Sequence, residues 1–362
     1  MFFLRFVARV VFGVWLTPVV VVVAAACEAA PVSEGEGEGE GEGEGEGEGE
    51  GEGEGEGEGE GEGEGEGEVA SRFVAVGYGG RRLSSVDGSN WGDDVEDVAN
   101  GGDDDLLLRG VCTGVVNGTT IVLAVGGSAQ GRVLRSVDGA VSFTEVVDDD
   151  GWIGACAFDG SHFVFVGSAR SARSVDGGLT LGDRTVQFFP EGGWEMRDVV
   201  FVDDGAGQRT LIAAGDLGVS TSSDGLTWSV PAGPKNLLRL AHGNAIVVVI
   251  GPVVRGVAAL ASIRGVLPFA AQTTAGINDI VFAQGRFLIV GEGFRQTSVD
   301  GVVWAQEAQP ALARVAFGVI NGAPVYVGAQ FSDRRRRSSD GVTWVDVINE
   351  DGNAIDDIVF VP

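Results

Sequence analysis

The chain contains little histidine and almost no lysine. Its 362 residues include 2 histidines, His162 and His242, and both fall in predicted turns between strands. Two separated histidines give no support to a histidine-based metal centre or a Ser-His catalytic dyad. Lys235 is the only lysine, so arginine supplies nearly all of the positive charge. We therefore expect no cofactor and no metal ion, and we assign no catalytic residue from the sequence.

Basic residues are also outnumbered by acidic ones. Lys and Arg total 24 against 53 Asp and Glu, which gives a net charge of -29. Eighteen of the glutamates lie in residues 34–68, where Glu and Gly alternate without a break. After Glu68, 34 acidic residues face 22 basic ones, so the remainder is an ordinary acidic domain with a net charge near -12. We therefore expect no nucleic-acid partner, because such a partner favours a net basic face.

The N-terminal segment has the parts of a secretory signal. Arg5 and Arg9 precede an apolar run over residues 10–26, which ends in three alanines directly before Cys27. This arrangement resembles a bacterial lipoprotein signal, in which cleavage before the cysteine leaves its thiol to carry a lipid. We therefore expect a signal peptide over residues 1–26 and an exported lipoprotein of the outer membrane or cell surface, attached to the membrane through Cys27.

Two alternatives to lipidation stay open. Ala24 stands where a lipoprotein signal usually has Leu or Val, so ordinary cleavage after an alanine would give a periplasmic or secreted protein. An uncleaved anchor is the second alternative, because an apolar run of about 17 residues is at the short limit for crossing a membrane.

Residues 27–68 are predicted to form a disordered linker. The Glu-Gly tract at 34–68 has no apolar surface to bury, and its like charges repel one another. Fully extended, the tract would reach roughly 115 to 125 Å. Weak binding of divalent cations is an alternative role, although alternating glycines provide no preformed coordination geometry. We therefore interpret the tract as a spacer.

A short sequence box recurs through the rest of the chain. The copy Ser298-Val-Asp-Gly-Val-Val-Trp304 has five counterparts with a serine, an aspartate two residues later and a glycine after it; they begin at Ser85, Ser136, Ser174, Ser222 and Ser338. A decayed copy begins at Ser262, and Arg264 replaces its aspartate, which predicts a looser turn. The seven copies recur about every 42 residues, a period typical of propeller blades.

The order of strands within each period predicts how the domain closes. Each unit has four short runs rich in β-branched and aromatic residues, separated by glycine turns. The chain ends on a first strand at residues 357–362, and the domain begins with a second strand at residues 71–77. We therefore predict an all-β, seven-bladed β-propeller over residues 69–362. Its four-stranded antiparallel blades are closed by pairing of the C-terminal strand with the N-terminal strands, which removes the open sheet edge.

The box resembles the Asp-box (BNR) repeat of sialidases, sortilin-type receptors and photosystem II assembly factors. The resemblance covers the whole predicted domain and implies its propeller fold, but it says little about activity. Physically the box is a turn, in which the carboxylate accepts backbone N–H groups and glycine takes a positive φ. We therefore predict structural turns on the outer rim of one face for Asp87, Asp138, Asp176, Asp224, Asp300 and Asp340.

A sialidase activity is not supported by the residues that are present. Sialidases have six blades, an Arg-Ile-Pro motif, three carboxylate-binding arginines and a Tyr-Glu nucleophile pair. No Arg-Ile-Pro occurs here, and Tyr78 and Tyr326 are the only tyrosines. We therefore expect a non-enzymatic binding or assembly module. The alternatives are a glycoside hydrolase of sialidase-like architecture with an unrecognised carboxylate pair, and a structural surface protein.

The predicted ligand site is the mouth of the central channel, on the face opposite the boxes. The second-to-third-strand loops are expected to bring arginines to it, and two tryptophans begin inner strands beside them: Arg82, Arg132, Arg173, Arg295, Arg334, Arg335, Arg336, Arg337, Trp152 and Trp194. Guanidinium and indole groups suit an anionic polysaccharide or an envelope protein. Solvated loops with local ion pairs are the alternative. The run of four arginines is the strongest candidate, because adjacent like charges repel unless anionic groups answer them. We expect the propeller to be a monomer.

Cys112 and Cys156 lie on the predicted innermost strands of neighbouring blades. In an exported protein two such cysteines suggest a disulfide. Their registers differ by one residue, however, and a one-residue slip turns side chains to opposite faces. A disulfide and two buried thiols are therefore both open, and the register favours the thiols.

Overall fold

The computed structural model describes residues 70–98, 104–186, 188–189, 192–203, 207–252, 254–259, 270–273, 276–331, 334–348 and 352–362. The signal segment with Cys27, the Glu-Gly linker and the decayed box with Arg264 lie outside the described residues. The helices within these ranges are two short 3-10 turns, Tyr78–Gly80 and Asp104–Leu106. No helix of the described residues is long and apolar enough to span a membrane.

The described strands form seven antiparallel sheets of three or four strands, which we call blades 1 to 7 in chain order, and one two-stranded hairpin. Each blade is given from its innermost strand outward. Blade 1 contains β29 (Ile355–Val361), β1 (Arg72–Gly77), β2 (Arg82–Ser85) and β3 (Gly92–Val95). Blade 2 contains β4 (Leu108–Val116), β5 (Thr119–Gly127), β6 (Gln130–Ser136) and β7 (Thr144–Asp150). Blade 3 contains β8 (Ile153–Phe158), β9 (Phe163–Gly167), β10 (Arg170–Ser174) and β11 (Asp183–Val186).

The second half of the chain repeats this order. A small hairpin, β12 (Phe188–Phe189) and β13 (Gly192–Gly193), precedes blade 4. Blade 4 contains β14 (Met196–Asp203), β15 (Arg209–Gly215) and β16 (Gly218–Ser222). Blade 5 contains β17 (Arg239–Gly243), β18 (Ile246–Gly251), β19 (Val254–Ala259) and β20 (Ala270–Thr273). Blade 6 contains β21 (Ile277–Ala283), β22 (Arg286–Gly291), β23 (Phe294–Ser298) and β24 (Ala305–Ala308). Blade 7 contains β25 (Arg314–Ile320), β26 (Ala323–Ala329), β27 (Arg335–Ser338) and β28 (Val345–Ile348).

The ring closes as the sequence predicts. β29 pairs antiparallel with β1, with Phe73 opposite Phe360, and so completes blade 1 from both ends of the domain. The innermost strand of each blade contacts that of the next, and β25 contacts β29. The prediction of a seven-bladed, all-β propeller is therefore confirmed.

Blade 4 departs from the four-stranded pattern within the described residues. Its place for a fourth strand holds a single bridge between Val219 and Ala232. Pro231 and Pro234 flank this bridge. Proline has no backbone N–H to donate to a sheet, so the two prolines disfavour a longer regular pairing there.

The hydrophobic core is divided into layers between neighbouring blades. Seven clusters of buried side chains fill the seven blade junctions. Both faces of a blade are therefore covered, and β9 is buried along its whole length because it lies in the middle of blade 3. The outermost strand β24, in contrast, is exposed throughout. Burial on both faces explains why the inner strands are continuously apolar rather than alternating.

A glycine ends the second strand of most blades because the backbone approaches closely there. A Cβ atom on Gly167 would lie 2.1 Å from the Trp152 carbonyl oxygen, and one on Gly215 would lie 2.0 Å from that of Glu195. Only glycine allows this approach. The contact holds the residue before each first strand, and so Trp152 and Glu195, at one end of the channel.

Candidate functional site

The end of the channel opposite the boxes opens into a cavity of about 390 Å³. We call this cavity the channel mouth. All seven blades contribute to it, since its lining comes from the starts of the seven innermost strands and the residues next to them: Tyr78, Leu107, Arg109, Trp152, Gly154, Glu195, Arg197, Leu238, Arg239, Asn278, Arg314 and Asp356. Four of the residues are arginines and two are carboxylates, so charge is concentrated at the mouth.

Bulges in the innermost strands aim side chains into the mouth. In β4 the register shifts between Leu108 and Gly110, which leaves Arg109 as the extra residue. Equivalent register shifts leave Arg197 of β14 and Asn278 of β21 without a partner residue on the neighbouring strand. A bulge turns one side chain away from the alternation of its strand, and bulges are frequent beside functional sites. Here they convert positions in buried strands into a polar ring.

One side of the mouth is held together by Arg314 and Asp356. The Arg314 guanidinium forms an ion pair with the Asp356 carboxylate and also donates to the Asp356 carbonyl oxygen. Arg239 donates from Nη2 to the same carbonyl at 2.9 Å. On another blade, Arg197 forms an ion pair with Glu195 at 3.2 Å. These three arginines are thus engaged by groups of the mouth itself.

Arg109 is arranged differently. Its guanidinium carbon lies 5.2 Å from the ring centroid of Trp152, a cation–π geometry. Its Nε donates a 2.9 Å hydrogen bond to the Gly127 carbonyl oxygen. Among the residues that the structure describes, no carboxylate pairs with Arg109.

Below the mouth, the channel holds a second cavity of about 440 Å³ that is lined by charged, mostly half-buried side chains. Asp198, Asp279 and Asp357 project into it from three innermost strands, together with Arg239. The Arg239 Nε lies 3.8 Å from Asp279, and its Nη2 lies 4.0 Å from Asp357. One guanidinium therefore lies within ion-pair distance of two of the three carboxylates.

Each of these aspartates also ties its blade to the next. Backbone N–H groups of the following innermost strand donate to the carboxylates, from Leu240 to Asp198 at 2.8 Å and from Val315 to Asp279 at 2.8 Å. Val111 donates to Asp357 in the same way at 2.9 Å. Because Asp357 belongs to the last strand and Val111 to blade 2, this bond also supports ring closure.

Burial dominates the electrostatics of this cluster. Desolvation raises the pKa of Asp357 to about 7, although Arg239 and the Val111 N–H oppose the shift. Desolvation likewise raises the pKa of Asp198 and of Asp279. For Arg239 desolvation acts in the opposite direction, but the surrounding carboxylates outweigh it and raise its pKa. The cluster therefore keeps its arginine charged while favouring a proton on Asp357 near neutral pH.

The structure places one predicted site residue, Trp152, at the mouth. Trp194 is fully buried between blades 3 and 4, where its ring lies 6.3 Å from that of Trp228. The predicted arginines, which we expected in loops at the mouth, lie instead in third strands of their blades, with Arg334 directly before one: Arg82, Arg132, Arg173, Arg295, Arg335, Arg336 and Arg337. Third strands are two strands away from the channel, so these arginines do not line it.

These third-strand arginines pair inside the protein. Arg82 and Arg132 share Asp97, at 2.9 Å and 2.8 Å. Arg173 pairs with Asp183 of its fourth strand at 2.6 Å. Arg295 pairs in the same way with Glu307, also in a fourth strand.

Strand alternation separates the side chains of the four-arginine run. Arg335 is fully buried, and its guanidinium carbon lies 5.2 Å from the Trp91 ring. Arg336 points to the other face and pairs with Asp346 at 2.5 Å, while Arg337 donates to the Asp87 carbonyl oxygen of blade 1 at 2.9 Å. Three of the four arginines thus contact groups within the protein. The structure therefore does not require an outside anion to offset the charge of the run.

The six described boxes form turns at the end of the channel opposite the mouth. In each, the serine hydroxyl donates to the aspartate carboxylate two residues later, at 2.7 to 3.1 Å. The carboxylate also accepts backbone N–H groups; Asp340, for example, accepts those of Val342 and Thr343, both at 2.8 Å. Slight desolvation opposes the effect, but these hydrogen bonds lower the pKa of Asp340 to about 2. The pKa values of Asp87, Asp138, Asp176, Asp224 and Asp300 are lowered as well.

Cys112 and Cys156 form a disulfide, with Cα atoms 5.7 Å apart. The one-residue register difference, which we took to disfavour the bond, is what permits it. Neighbouring blades meet through opposite faces, so the two side chains must leave their own sheets in opposite directions. Both cysteines accordingly lie in the layer between blades 2 and 3, whereas the preceding residues Val111 and Ala155 lie in the layers on the other side of each blade.

The residues that line the mouth and the channel were missed by the sequence analysis, apart from Trp152. A usable signal was present: first strands share an aspartate before an apolar run, in Asp198-Val-Val-Phe201, Asp279-Ile-Val-Phe282 and Asp357-Ile-Val-Phe360. A charged residue at the same place in several buried strands indicates the channel lining. The bulged positions carry no such signal, because Arg109, Asn278 and Asp356 have different side chains.

Comparison with known proteins adds no relative. No family model matches the chain, and no curated protein matches it. The likeness to Asp-box proteins therefore stays a resemblance carried by the boxes. Within the described residues, no group of three or more His, Cys, Asp or Glu side chains is placed to hold a metal ion.

Proposed function

We propose that this protein is an exported, lipid-anchored monomer that acts as a non-enzymatic binding module, with the channel mouth as the site for an anionic polysaccharide of the cell envelope. A propeller supports a binding or assembly role in general, and the site must supply the specificity. The observation that carries the proposal is the gathering of Arg109, Arg197, Arg239 and Arg314 in one cavity of about 390 Å³ beside Trp152. Guanidinium groups bind carboxylate, sulfate and phosphate groups through paired hydrogen bonds.

The direction of the mouth suits such a module. β1 begins at Arg72, and Phe73 lies opposite Ser85, the first residue of a box. The chain therefore enters the propeller at the box end. The mouth is at the other end of the channel, so a ligand bound there does not meet the strand by which the chain enters.

A binding role is favoured over hydrolysis by the contacts of the mouth carboxylates. Glu195 and Asp356 are the two carboxylate residues that line the mouth, and each is ion-paired with an arginine. Both carboxylates are thus engaged within the protein, whereas a glycosidase uses a pair of carboxyl groups that flank the glycosidic bond and reach it directly.

The test is binding of the full chain to immobilised acidic polysaccharides, with neutral dextran as the reference. We expect retention on polygalacturonate that weakens as salt is added, and loss of retention in the double variant Arg109→Gln/Arg197→Gln. The matched control is Arg209→Gln. The Arg209 guanidinium carbon also lies over an aromatic ring, 4.9 Å from the centroid of Phe201, but Arg209 is at the end of β15 that is farthest from the mouth. Retention of the double variant equal to that of the control would contradict the site.

The same preparation separates binding from catalysis. Release of reducing sugar from the polysaccharide, abolished by Glu195→Gln, would show a hydrolase and overturn the non-enzymatic role. Attachment is tested by mass spectrometry of the mature N-terminus, for which we expect a lipid on Cys27 and no lipid in Cys27→Ala. An unmodified, uncleaved N-terminus would contradict the anchor.

A further inference from the structure

The four mouth arginines are not equivalent. Arg314 and Arg197 are each paired with a carboxylate, and Arg239 lies between the Asp356 carbonyl and the channel aspartates. Within the ranges that the structure describes, Arg109 alone among them forms no ion pair with a carboxylate. A ligand anion at Arg109 therefore displaces no existing ion pair, whereas at the other three it competes with one.

Arg109 is also held in one orientation. Its Nε–H is committed to the Gly127 carbonyl oxygen at 2.9 Å, and that glycine is itself tied by its own N–H to the Leu107 carbonyl oxygen at 2.8 Å. Gly127 has φ +90, and a Cβ there would lie 1.8 Å from the Gln130 carbonyl oxygen, so the turn accepts only glycine. The carbonyl that positions Arg109 is thus part of a rigid turn.

Trp152 supports the guanidinium from the side. Its ring lies 5.2 Å from the guanidinium carbon and leans over Gly154, where an added Cβ would come within 2.7 Å of the indole Cζ3. Arg109 and Trp152 are both half-buried. With Nε used and the guanidinium carbon lying over the Trp152 ring, Nη1 and Nη2 form the edge that remains for a ligand. Two parallel N–H donors on one edge match the two oxygens of a carboxylate.

The charge of the surroundings limits the kind of anion. Glu195 and Asp356 line the same cavity. A group with a single negative charge is repelled by these carboxylates less than a doubly charged phosphate monoester. Among the anionic groups of polysaccharides, the planar, singly charged carboxylate of a uronic acid fits both the edge and the charge.

We propose that Arg109, positioned by Gly127 and Trp152, is the anchor that binds the carboxylate of a uronic acid unit at the channel mouth. This inference rests on the proposed function and names the ligand class and the residue that recognises it. The remaining mouth arginines organise the walls of the cavity.

The experiment is isothermal titration of the full chain with three trisaccharides: trigalacturonate, its carboxyl-reduced neutral form, and a sulfated counterpart. We expect wild type to prefer trigalacturonate to both others. Arg109→Gln is expected to weaken trigalacturonate binding by about tenfold or more, as the loss of one charge-assisted pair predicts. Arg109→Lys should recover less than half of that loss on the free-energy scale, since lysine keeps the charge but not the fork.

The controls separate the anchor from the mouth as a whole. Arg209→Gln is expected to bind within about twofold of wild type, a difference of roughly 0.4 kcal/mol. If wild type binds trigalacturonate but Arg109→Gln binds it equally well while retaining the wild-type circular dichroism spectrum, the anchor is wrong and the proposed function stands. Preference for the sulfated sugar overturns the uronic acid assignment alone. If wild type binds none of the three, the anchor and the proposed function both fail.

Discussion

The carboxylate of Asp357, five residues before the end of the chain, accepts a 2.9 Å hydrogen bond from the backbone N–H of Val111 in blade 2. The bond crosses the junction between the closing blade and the next one. It also lies in the channel, where Arg239, Asp198 and Asp279 are the charged neighbours that act on Asp357. Ring closure and channel electrostatics therefore meet at a single side chain.

The raised pKa of Asp357 predicts how stability varies with pH. The native carboxyl titrates at about 7 and the unfolded one near 3.8, so between these values the native state binds more protons. The contribution of Asp357 to the free energy of unfolding should therefore decrease as pH rises from about 4 to above 7. Relative to wild type, Asp357→Asn should gain on the order of 2–4 kcal/mol across this window, as urea unfolding at a series of pH values would show. Parallel curves for the two proteins would contradict the assignment.

The box aspartates predict the opposite slope. The hydrogen bonds that lower the pKa of Asp340 to about 2 stabilise the fold above the unfolded value of 3.8, and this contribution is lost as pH falls through about 2. Asp340→Ala should lower the free energy of unfolding at pH 7 by about 1–2 kcal/mol, because two backbone N–H groups lose their acceptor. Ser338→Ala should cost less. Urea unfolding at pH 7 measures both, and an unchanged midpoint for Asp340→Ala would refute the turn as a stabilising element.

The disulfide predicts a redox-dependent stability. Cys112 and Cys156 are 44 residues apart in sequence, and closing a loop of that length constrains the unfolded chain by about 4 kcal/mol in the entropic model. Reduction, or Cys112→Ser/Cys156→Ser, should therefore lower the unfolding midpoint markedly while leaving the fold intact. In the unfolded protein, both cysteines should resist alkylation until the disulfide is reduced. Rapid alkylation without reductant would mean that the bond is absent.

The close backbone approach beside Trp152 predicts one intolerant glycine. An added methyl group at Gly167 meets the Trp152 carbonyl oxygen at 2.1 Å, so Gly167→Ala should destabilise the protein by about 3 kcal/mol or more. Gly182→Ala is the matched control in the same blade, since nothing lies within 4 Å of its added Cβ. Thermal unfolding of the two variants gives the comparison. Equal melting temperatures would show that the strand end can relax.

The fold was predictable because the sequence features that indicate it are local. Each Ser-x-Asp-Gly box specifies a turn by its own hydrogen bonds, so the spacing of boxes such as those at Asp300 and Asp340 counts the blades directly. The unpaired strand runs at the two ends then required closure between β1 and β29. Blade 4 differs from the other blades at its fourth strand, where Pro231 and Pro234 flank a single bridge.

The site was harder to predict because it depends on which way side chains point. Arg335 and Arg336 are adjacent in sequence but lie on opposite faces of β27, each with an internal partner. The four adjacent arginines suggested a continuous basic surface, but the strand distributes them between its two faces. Arg109 reaches the mouth only because a bulge turns it inward, and a bulge in a buried strand has no marker in a single sequence. The disulfide was misjudged for a related reason, since the rule for one sheet was applied to two sheets that face each other.

The most direct test of the account is amide hydrogen exchange of the full chain with and without an acidic polysaccharide such as polygalacturonate. We predict slower exchange in the peptides that contain Arg109 and Trp152, at the channel mouth, and no change at the box turns around Asp138 and Asp300. Protection confined to the box end, or no protection anywhere in the propeller, would contradict the channel mouth as the binding site.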